Sequence, residues 1–236
     1  MSSFRRMKTA QPPVSTASIP QSLRDIPRWI CWDYMDCGDG KKPRKVPIGK
    51  GTDYGTNYND PSAWRTFASV MTEAVERDGL GVGFVFSESD DIVGVDLDNS
   101  YDEQGWLKPW AREVAKSFSG AFCEQTPSGL GLHFIGRASK IVGRTRVELP
   151  DGDGGIERYS ENRWFTFTGN PVTDGNGNPV ATNPGGTVGN LSESELANLR
   201  ETIGKRESGG NYSIVNQIGY VGKYQFGASA LQSVGM

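Results

Sequence analysis

A single histidine, His133, and only three cysteines occur in the 236 residues. So few soft ligands, at unrelated spacings, leave no four-ligand zinc set and no disulfide framework, and fit a reducing, cytoplasmic setting. No apolar run approaches the roughly 20 residues of a membrane span, so no membrane partner is expected. The start, MSSFRRMKTAQPP, carries charge but no apolar core, unlike a secretory signal. Basic charge is not in excess either. Lys and Arg number 25 against 28 Asp and Glu, a net charge of −3. That excludes a polybasic, histone-like binder, although a nucleic-acid surface needs only a local basic cluster. Repeats at solenoid periods are also missing.

Aromatic residues and turn formers are plentiful: 6 Trp, 8 Tyr and 10 Phe can build a core, and 31 Gly with 13 Pro imply many turns. Residues 1–20 are polar and punctuated by Pro12, Pro13 and Pro20, and read as a mobile arm. An aromatic strand follows at Trp29-Ile30-Cys31-Trp32. Five cations and no anion fall within residues 41–50. Asp60-Pro61-Ser62 predicts the start of a helix over 61–77 with Trp64, Phe67, Ala68 and Met71 on one face. Residues 81–86 and 92–98 predict a β-hairpin, 110–118 a second helix, and 122–126, 132–136, 144–149, 155–159 and 164–168 further strands. The interspersed pattern favours an α+β fold with a mixed or antiparallel sheet. Residues 173–190 read as a linker, and 191–203 as a helix opened by Ser192 and Glu195.

The sharpest feature is Val93-Gly94-Val95-Asp96-Leu97-Asp98. On a strand, Asp96 and Asp98 project from one face while Val93, Val95 and Leu97 take the other. Two neighbouring carboxylates repel unless a cation lies between them, which a divalent metal with oxygen ligands supplies. The alternative is a solvated acidic strand end. His133 follows Thr126-Pro127-Ser128-Gly129-Leu130-Gly131, a turn whose amides can form an anion nest. From there His133 can donate a hydrogen bond to a phosphate; the alternative is a satisfied structural histidine. Glu157, in Ile156-Glu157-Arg158-Tyr159, either completes a three-carboxylate metal site or pairs with an arginine across the sheet.

Taken in order, these segments resemble the primase–polymerase domain of the archaeo-eukaryotic primase superfamily, specifically the bifunctional DNA primase/polymerase N-terminal domains of phage and plasmid replication proteins. The resemblance runs through Trp29-Ile30-Cys31-Trp32, Lys42-Pro43-Arg44-Lys45-Val46-Pro47, Asp60-Pro61-Ser62-Ala63-Trp64 and Gly81-Val82-Gly83-Phe84-Val85-Phe86. It continues through Gly94-Val95-Asp96-Leu97-Asp98, the Thr126–His133 turn, Ile156-Glu157-Arg158-Tyr159, Arg163 and Thr168-Gly169. It covers about residues 24–172 and gives the domain the limits 21–172.

The resemblance implies an RRM-like palm packed against an α/β unit. It implies catalytic Mg2+ or Mn2+ on Asp96, Asp98 and Glu157, and nucleoside triphosphate contacts from Ser128, Gly129, His133 and Arg163. Lys42, Arg44 and Lys45 are the implied contacts to a single-stranded DNA template. Such proteins often continue into a helicase, so a replicative helicase in trans is an expected partner.

The tail, Glu207-Ser208-Gly209-Gly210-Asn211-Tyr212 with Gly219-Tyr220-Val221-Gly222-Lys223-Tyr224, resembles the opening of a phage lysozyme-like transglycosylase domain. About 30 residues cannot build a sugar-binding cleft, so residues 191–236 are expected to be a helical segment plus a truncated remnant. Three further functions remain open on these residues: a catalytically silent nucleic-acid-binding module, a metal-dependent nuclease, and a cell-wall glycosidase fragment.

Overall fold

The computed structural model describes residues 5–6, 14–36, 43–50, 54–77, 79–116, 118, 120–139, 146–148, 154–173 and 179–181. Lys42, the expected helix at 191–203, the lysozyme-like tail and most of the linker lie outside them. In chain order the strands are β1 (Arg5–Arg6), β2 (Trp29–Asp36), β3 (Arg44–Ile48), β4 (Gly81–Phe86), β5 (Ile92–Asp98), β6 (Phe122–Gln125), β7 (Leu132–Arg137), β8 (Arg146–Glu148), β9 (Gly155–Tyr159), β10 (Arg163–Phe167), β11 (Val172–Thr173) and β12 (Pro179–Ala181). The α-helices are α1 (Gln21–Arg24), α2 (Phe67–Glu76) and α3 (Pro109–Lys116).

The fold is α+β with two five-stranded sheets and a separate β11–β12 ladder. In the first sheet β4 joins β2 to β10, and β1 and β3 also pair with β2; the second runs β6-β7-β5-β9-β8. All pairings among the described strands are antiparallel. The sheets are therefore antiparallel rather than mixed.

The expected hairpin of residues 81–86 and 92–98 does not form: β4 and β5 are central strands of different sheets. All of β4 is buried, on both faces. A strand apolar on both faces belongs in the middle of a sheet, and β4 takes β2 and β10 as its partners. The short connection instead carries the chain from one sheet to the other. Ion pairs of Arg28 with Asp90 and of Arg137 with Asp91 fasten it.

The helix expected over 61–77 is also divided. Asp60 accepts from the Ser62 amide at 2.9 Å and caps a single 3-10 turn, Pro61–Ala63. The backbone then extends so that Arg65 and Trp29 exchange two hydrogen bonds of 3.0 Å. Thr66 provides a new N-cap, accepting from the Ser69 amide, and α2 starts there. Its buried face is Phe67, Val70 and Ala74; Ala68 is exposed and Met71 half-buried.

Residues 14–20 of the expected mobile arm are inside the fold. The Ser15 amide donates to the Thr168 carbonyl at 2.8 Å, and Ile19 is fully buried. At the other end of the domain, Val172 is fully buried, and Val172–Thr173 pair with residues 179–181 of the expected linker.

Two cores result. Trp29, Phe84, Phe165 and Phe167 of the first sheet pack on Phe67 and Val70 of α2 and on Ile92, Phe122 and Ile135 of the second sheet. Trp29 meets Phe67, Phe84 and Phe167 edge-on, with centroids 4.7–5.2 Å apart, a favoured ring geometry. Val93, Val95, Leu97 and Phe134, on the far side of the second sheet, pack on Trp110, Ala111 and Val114 of α3. The sheets close against each other at Gly94. A Cβ there would meet Phe86 Cζ at 2.4 Å and Phe165 Cε2 at 2.6 Å.

Candidate active site

The strand alternation separates the two faces of β5 as expected. Val93, Val95 and Leu97 belong to the α3 core, and Asp96 and Asp98 lie opposite. The register extends this into a polar row across the whole sheet. Asp96 is directly opposite His133 on β7 and Glu157 on β9; His133 is opposite Glu124 on β6, and Glu157 is opposite Arg146 on β8. Directly paired residues share a face, so Glu124, His133, Asp96, Glu157 and Arg146 form one line of ionisable side chains.

Glu124 was not among the residues singled out in the sequence, and it is the best-anchored member. It is fully buried, and its Oε2 accepts from the amides of Thr168 (3.0 Å) and Gly169 (2.8 Å). Gly169 makes this turn with φ +64°. Oε1 of Glu124 lies 3.3 Å from His133 Nδ1. A carboxylate only accepts, so Nδ1 carries the hydrogen and Nε2 faces Asp96, 3.8 Å from its Oδ1. Phe165 stacks on the imidazole, with centroids 4.4 Å apart and planes 16° from parallel. The ring is therefore fixed at its face by Phe165 and at one edge by Glu124. The signal for Glu124 was an acid inside the apolar strand Phe122-Cys123-Glu124, placed by the hairpin register opposite the only histidine.

Asp96 is the opposite case. Its Oδ1 is buried with no hydrogen-bond partner among the described residues. Burial pushes its pKa up, and neighbouring Asp98 adds to this, while His133, Lys45 and Arg163 pull it down. Asp98 is half exposed and lies 3.4 Å from Arg146 Nη1. Glu157 is buried and well occupied: Arg146 pairs with its Oε1, Arg163 approaches Oε2 at 3.4 Å, and the Tyr159 hydroxyl donates to Oε2 at 2.6 Å. The cross-strand arginine partner is thus present. Among the described residues no three side chains of His, Cys, Asp or Glu converge in a ready-made metal cluster.

A cavity of about 200 Å³ opens over this row, lined by Lys45, Asp96, His133, Arg163, Trp164, Phe165 and Thr166. Asp96, His133, Arg163 and Lys45, expected from the sequence, meet there. Arg44 is exposed on β3, one residue from Lys45 and so on the other face of that strand. Ser128 and Gly129 do not line the cavity. Their turn is internally satisfied: Gly129 donates to the Thr126 carbonyl (2.9 Å), Leu130 to Ser128 Oγ (3.3 Å) and Gly131 to Thr126 Oγ1 (3.1 Å). The Gly129, Leu130 and Gly131 amides therefore form a closed turn rather than an open anion nest. The turn abuts β5 beyond Leu97, where the Ser100 amide donates to the Leu130 carbonyl at 2.7 Å.

The fold and site define an antiparallel α+β protein with a cation-flanked acid row at the junction of two sheets. No protein-family model matches the chain. Over 160 residues it is 31% identical to a protein named DNA primase-polymerase from Nitratiruptor phage NrS-1, a match covering 66% of this chain. The match covers 21% of that relative, so the similarity concerns about a fifth of its length. No described helix is long and apolar enough to cross a membrane.

Proposed function

We propose that this chain is a metal-dependent nucleotidyltransferase that synthesises or extends primers on a single-stranded DNA template, in phage or plasmid replication. The observation that carries the proposal is Asp96: a half-buried carboxylate whose buried Oδ1 has no hydrogen-bond partner among the described residues, facing a cavity that also holds Lys45, Arg163 and the only histidine. A buried, unpaired carboxylate oxygen is costly, and a bound cation relieves it. The similarity to a primase-polymerase gives that cation a chemistry. The RRM-like palm belongs to the same proposal and is supported by the antiparallel second sheet with its helix on one face.

Asp96 and Asp98 would hold Mg2+ or Mn2+, and Glu157 would join them once Arg146, which is half exposed, turns away. Such an ion, when bound, neutralises phosphate charge and activates the attacking hydroxyl. The chain's own groups do the rest. Lys45 and Arg163 balance a triphosphate's charge. His133, with Nδ1 committed to Glu124, would present Nε2 to a phosphate oxygen. Phe165 and Glu124 hold that ring in place, so no reorientation is needed during transfer. The closed turn at Ser128 and Gly129 would border the nucleotide beside Asp98 through its side chains.

Lys45 and Arg44, with Lys42, would contact the template, and a helicase in trans would open the duplex. The test is incorporation of labelled nucleotide on single-stranded DNA with Mg2+ or Mn2+. Products should form and vanish with chelator. Degradation of the template without synthesis would favour the nuclease reading.

A further inference from the structure

Trp164 differs from the other indoles of the first sheet. Trp29 and Trp32 are 0% and 1% exposed, whereas Trp164 is half-buried and lines the active-site cavity. Its indole lies flat on the neighbouring strand. A Cβ at Gly83 would be 2.7 Å from Trp164 Cε3 and 3.1 Å from Cζ3. Glycine within a strand often marks such close approach. Trp32 and Tyr58 brace the ring at centroid distances of 6.2 Å and 6.4 Å. The indole is thus fixed from behind and beside, in a residue that lines the cavity.

The edge of β10 adds hydrogen-bonding groups. Val85 donates to the Arg28 carbonyl at 2.9 Å, towards β2. Trp164 is paired with Val85 in the antiparallel register, so its peptide groups and those of Thr166 turn away from β4. Thr166, which is 3% exposed, lines the cavity, and its Oγ1 has no partner among the described residues. A flat π surface beside a hydroxyl with no partner among the described residues and a strand edge turned away from β4 is what a nucleobase requires. Lys45 and Arg163, in the same cavity, suit the phosphates attached to it. At about 200 Å³ the space is smaller than the roughly 300 Å³ of a full small-molecule pocket, so it accepts one part of a nucleotide.

Building on the transferase reading, we propose that Trp164 and the cavity-lining edge of β10 at Thr166 bind one nucleobase beside Asp96, with Trp164 as the stacking platform. The base belongs either to the incoming nucleotide or to the template strand. Stacking on an aromatic side chain strengthens binding by roughly 5- to 150-fold per base.

The test pairs ligands with and without a base in the presence of Mn2+: ATP against inorganic tripolyphosphate, and oligothymidylate against an abasic oligomer of equal length. Equilibrium binding is measured for the parent, Trp164→Leu and Trp164→Phe. The parent should prefer the base-bearing member of at least one pair by roughly 10-fold. Leu, which fills space without a π face, should abolish that preference, and Phe should retain most of it. The pair that responds identifies the base's source. A parent without preference in either pair overturns the proposal, and so does an unchanged preference in Trp164→Leu; the first of these needs no variant to fold. Asp96→Asn separates the two readings, since it should lose incorporation yet keep base preference. A parent that prefers bases but incorporates no nucleotide would sink the transferase reading and leave the platform standing.

Discussion

The two sheets have the same strand number and the same antiparallel pairing, and they use their facing surfaces differently. The first sheet presents Trp29, Phe84, Phe86, Phe165 and Phe167, an aromatic surface that packs on α2 and on its neighbour. The second presents Glu124, His133, Asp96, Glu157 and Arg146 in register across all five strands. It can do so because its other face, with Leu97, Phe134 and Trp110 of α3, supplies a complete core of its own. The charged row therefore costs the second sheet little of its anchoring. Within that row the contrast repeats at the scale of two residues. Glu124 is buried and fully hydrogen-bonded, and orients the imidazole; Asp96 is half-buried, and its buried Oδ1 has no hydrogen-bond partner among the described residues. Satisfied buried carboxylates stabilise a fold, whereas unsatisfied ones cost stability and point to function.

The comparison breaks most visibly at Asp96. Asp96→Asn should lower nucleotide incorporation by roughly 100-fold or more, because the amide cannot hold a divalent ion as the carboxylate does. Activity within a few-fold of the parent, measured by primer extension, would remove Asp96 from the site.

Glu124→Gln sharpens the same contrast. The glutamine oxygen should keep the Thr168 and Gly169 amides, which turns its NH2 towards His133 Nδ1 and forces the hydrogen to Nε2. The chain has one histidine, so its ring nitrogens give an unambiguous NMR signature of the tautomer. The variant should reverse the tautomer and lose roughly 1–3 kcal/mol of stability. An unchanged tautomer would show that Glu124 does not position the ring.

Gly94→Ala probes the contact between the sheets. A methyl group 2.4 Å from Phe86 and 2.6 Å from Phe165 must displace both rings. Urea denaturation should show a loss of about 1–3 kcal/mol. A neutral result would mean that the sheets are not packed at Gly94. The smallest effect is expected at Lys45, which lies over the Trp32 ring at 5.6 Å. Lys45→Glu should weaken single-stranded DNA binding and reduce the slope of log affinity against log salt by less than about 1 unit, and an unaltered slope would remove it from the DNA path.

Much of this was legible in the sequence because it depends on local periodicity. The alternation of Val93, Val95 and Leu97 against Asp96 and Asp98 needs only the period of a strand. The turn before His133 announces itself through Ser128, Gly129 and Gly131. What could not be read was pairing at a distance. The short spacing between residues 81–86 and 92–98 suggested a hairpin, yet β4 is apolar on both faces and was drawn into a different sheet. The boundary of α2 was misplaced because Asp60-Pro61 is a sound cap, and only the Trp29–Arg65 bridge shows why the first turn stops. Glu124 and Arg146 acquire their meaning from register across the sheet, which no single segment encodes. Trp164 was visible as an aromatic strand residue, but its place in the cavity depends on Gly83 of a strand some eighty residues earlier.

The central claim is that the orphaned charge of Asp96 is a cation site, and thermal stability tests it most directly. Burial raises the Asp96 pKa, so between the ordinary carboxylate range and that raised value the folded chain binds more protons than the unfolded chain. Metal-free stability should therefore fall as pH rises through that window and remain reduced above it. At neutral pH without metal, Asp96→Asn should melt a few degrees higher than the parent. Saturating Mn2+ should reverse the order, raising the parent's Tm by several degrees through binding to the native state while leaving Asp96→Asn almost unmoved. Equal Mn2+ shifts in the two proteins, or no shift in the parent, would contradict the account.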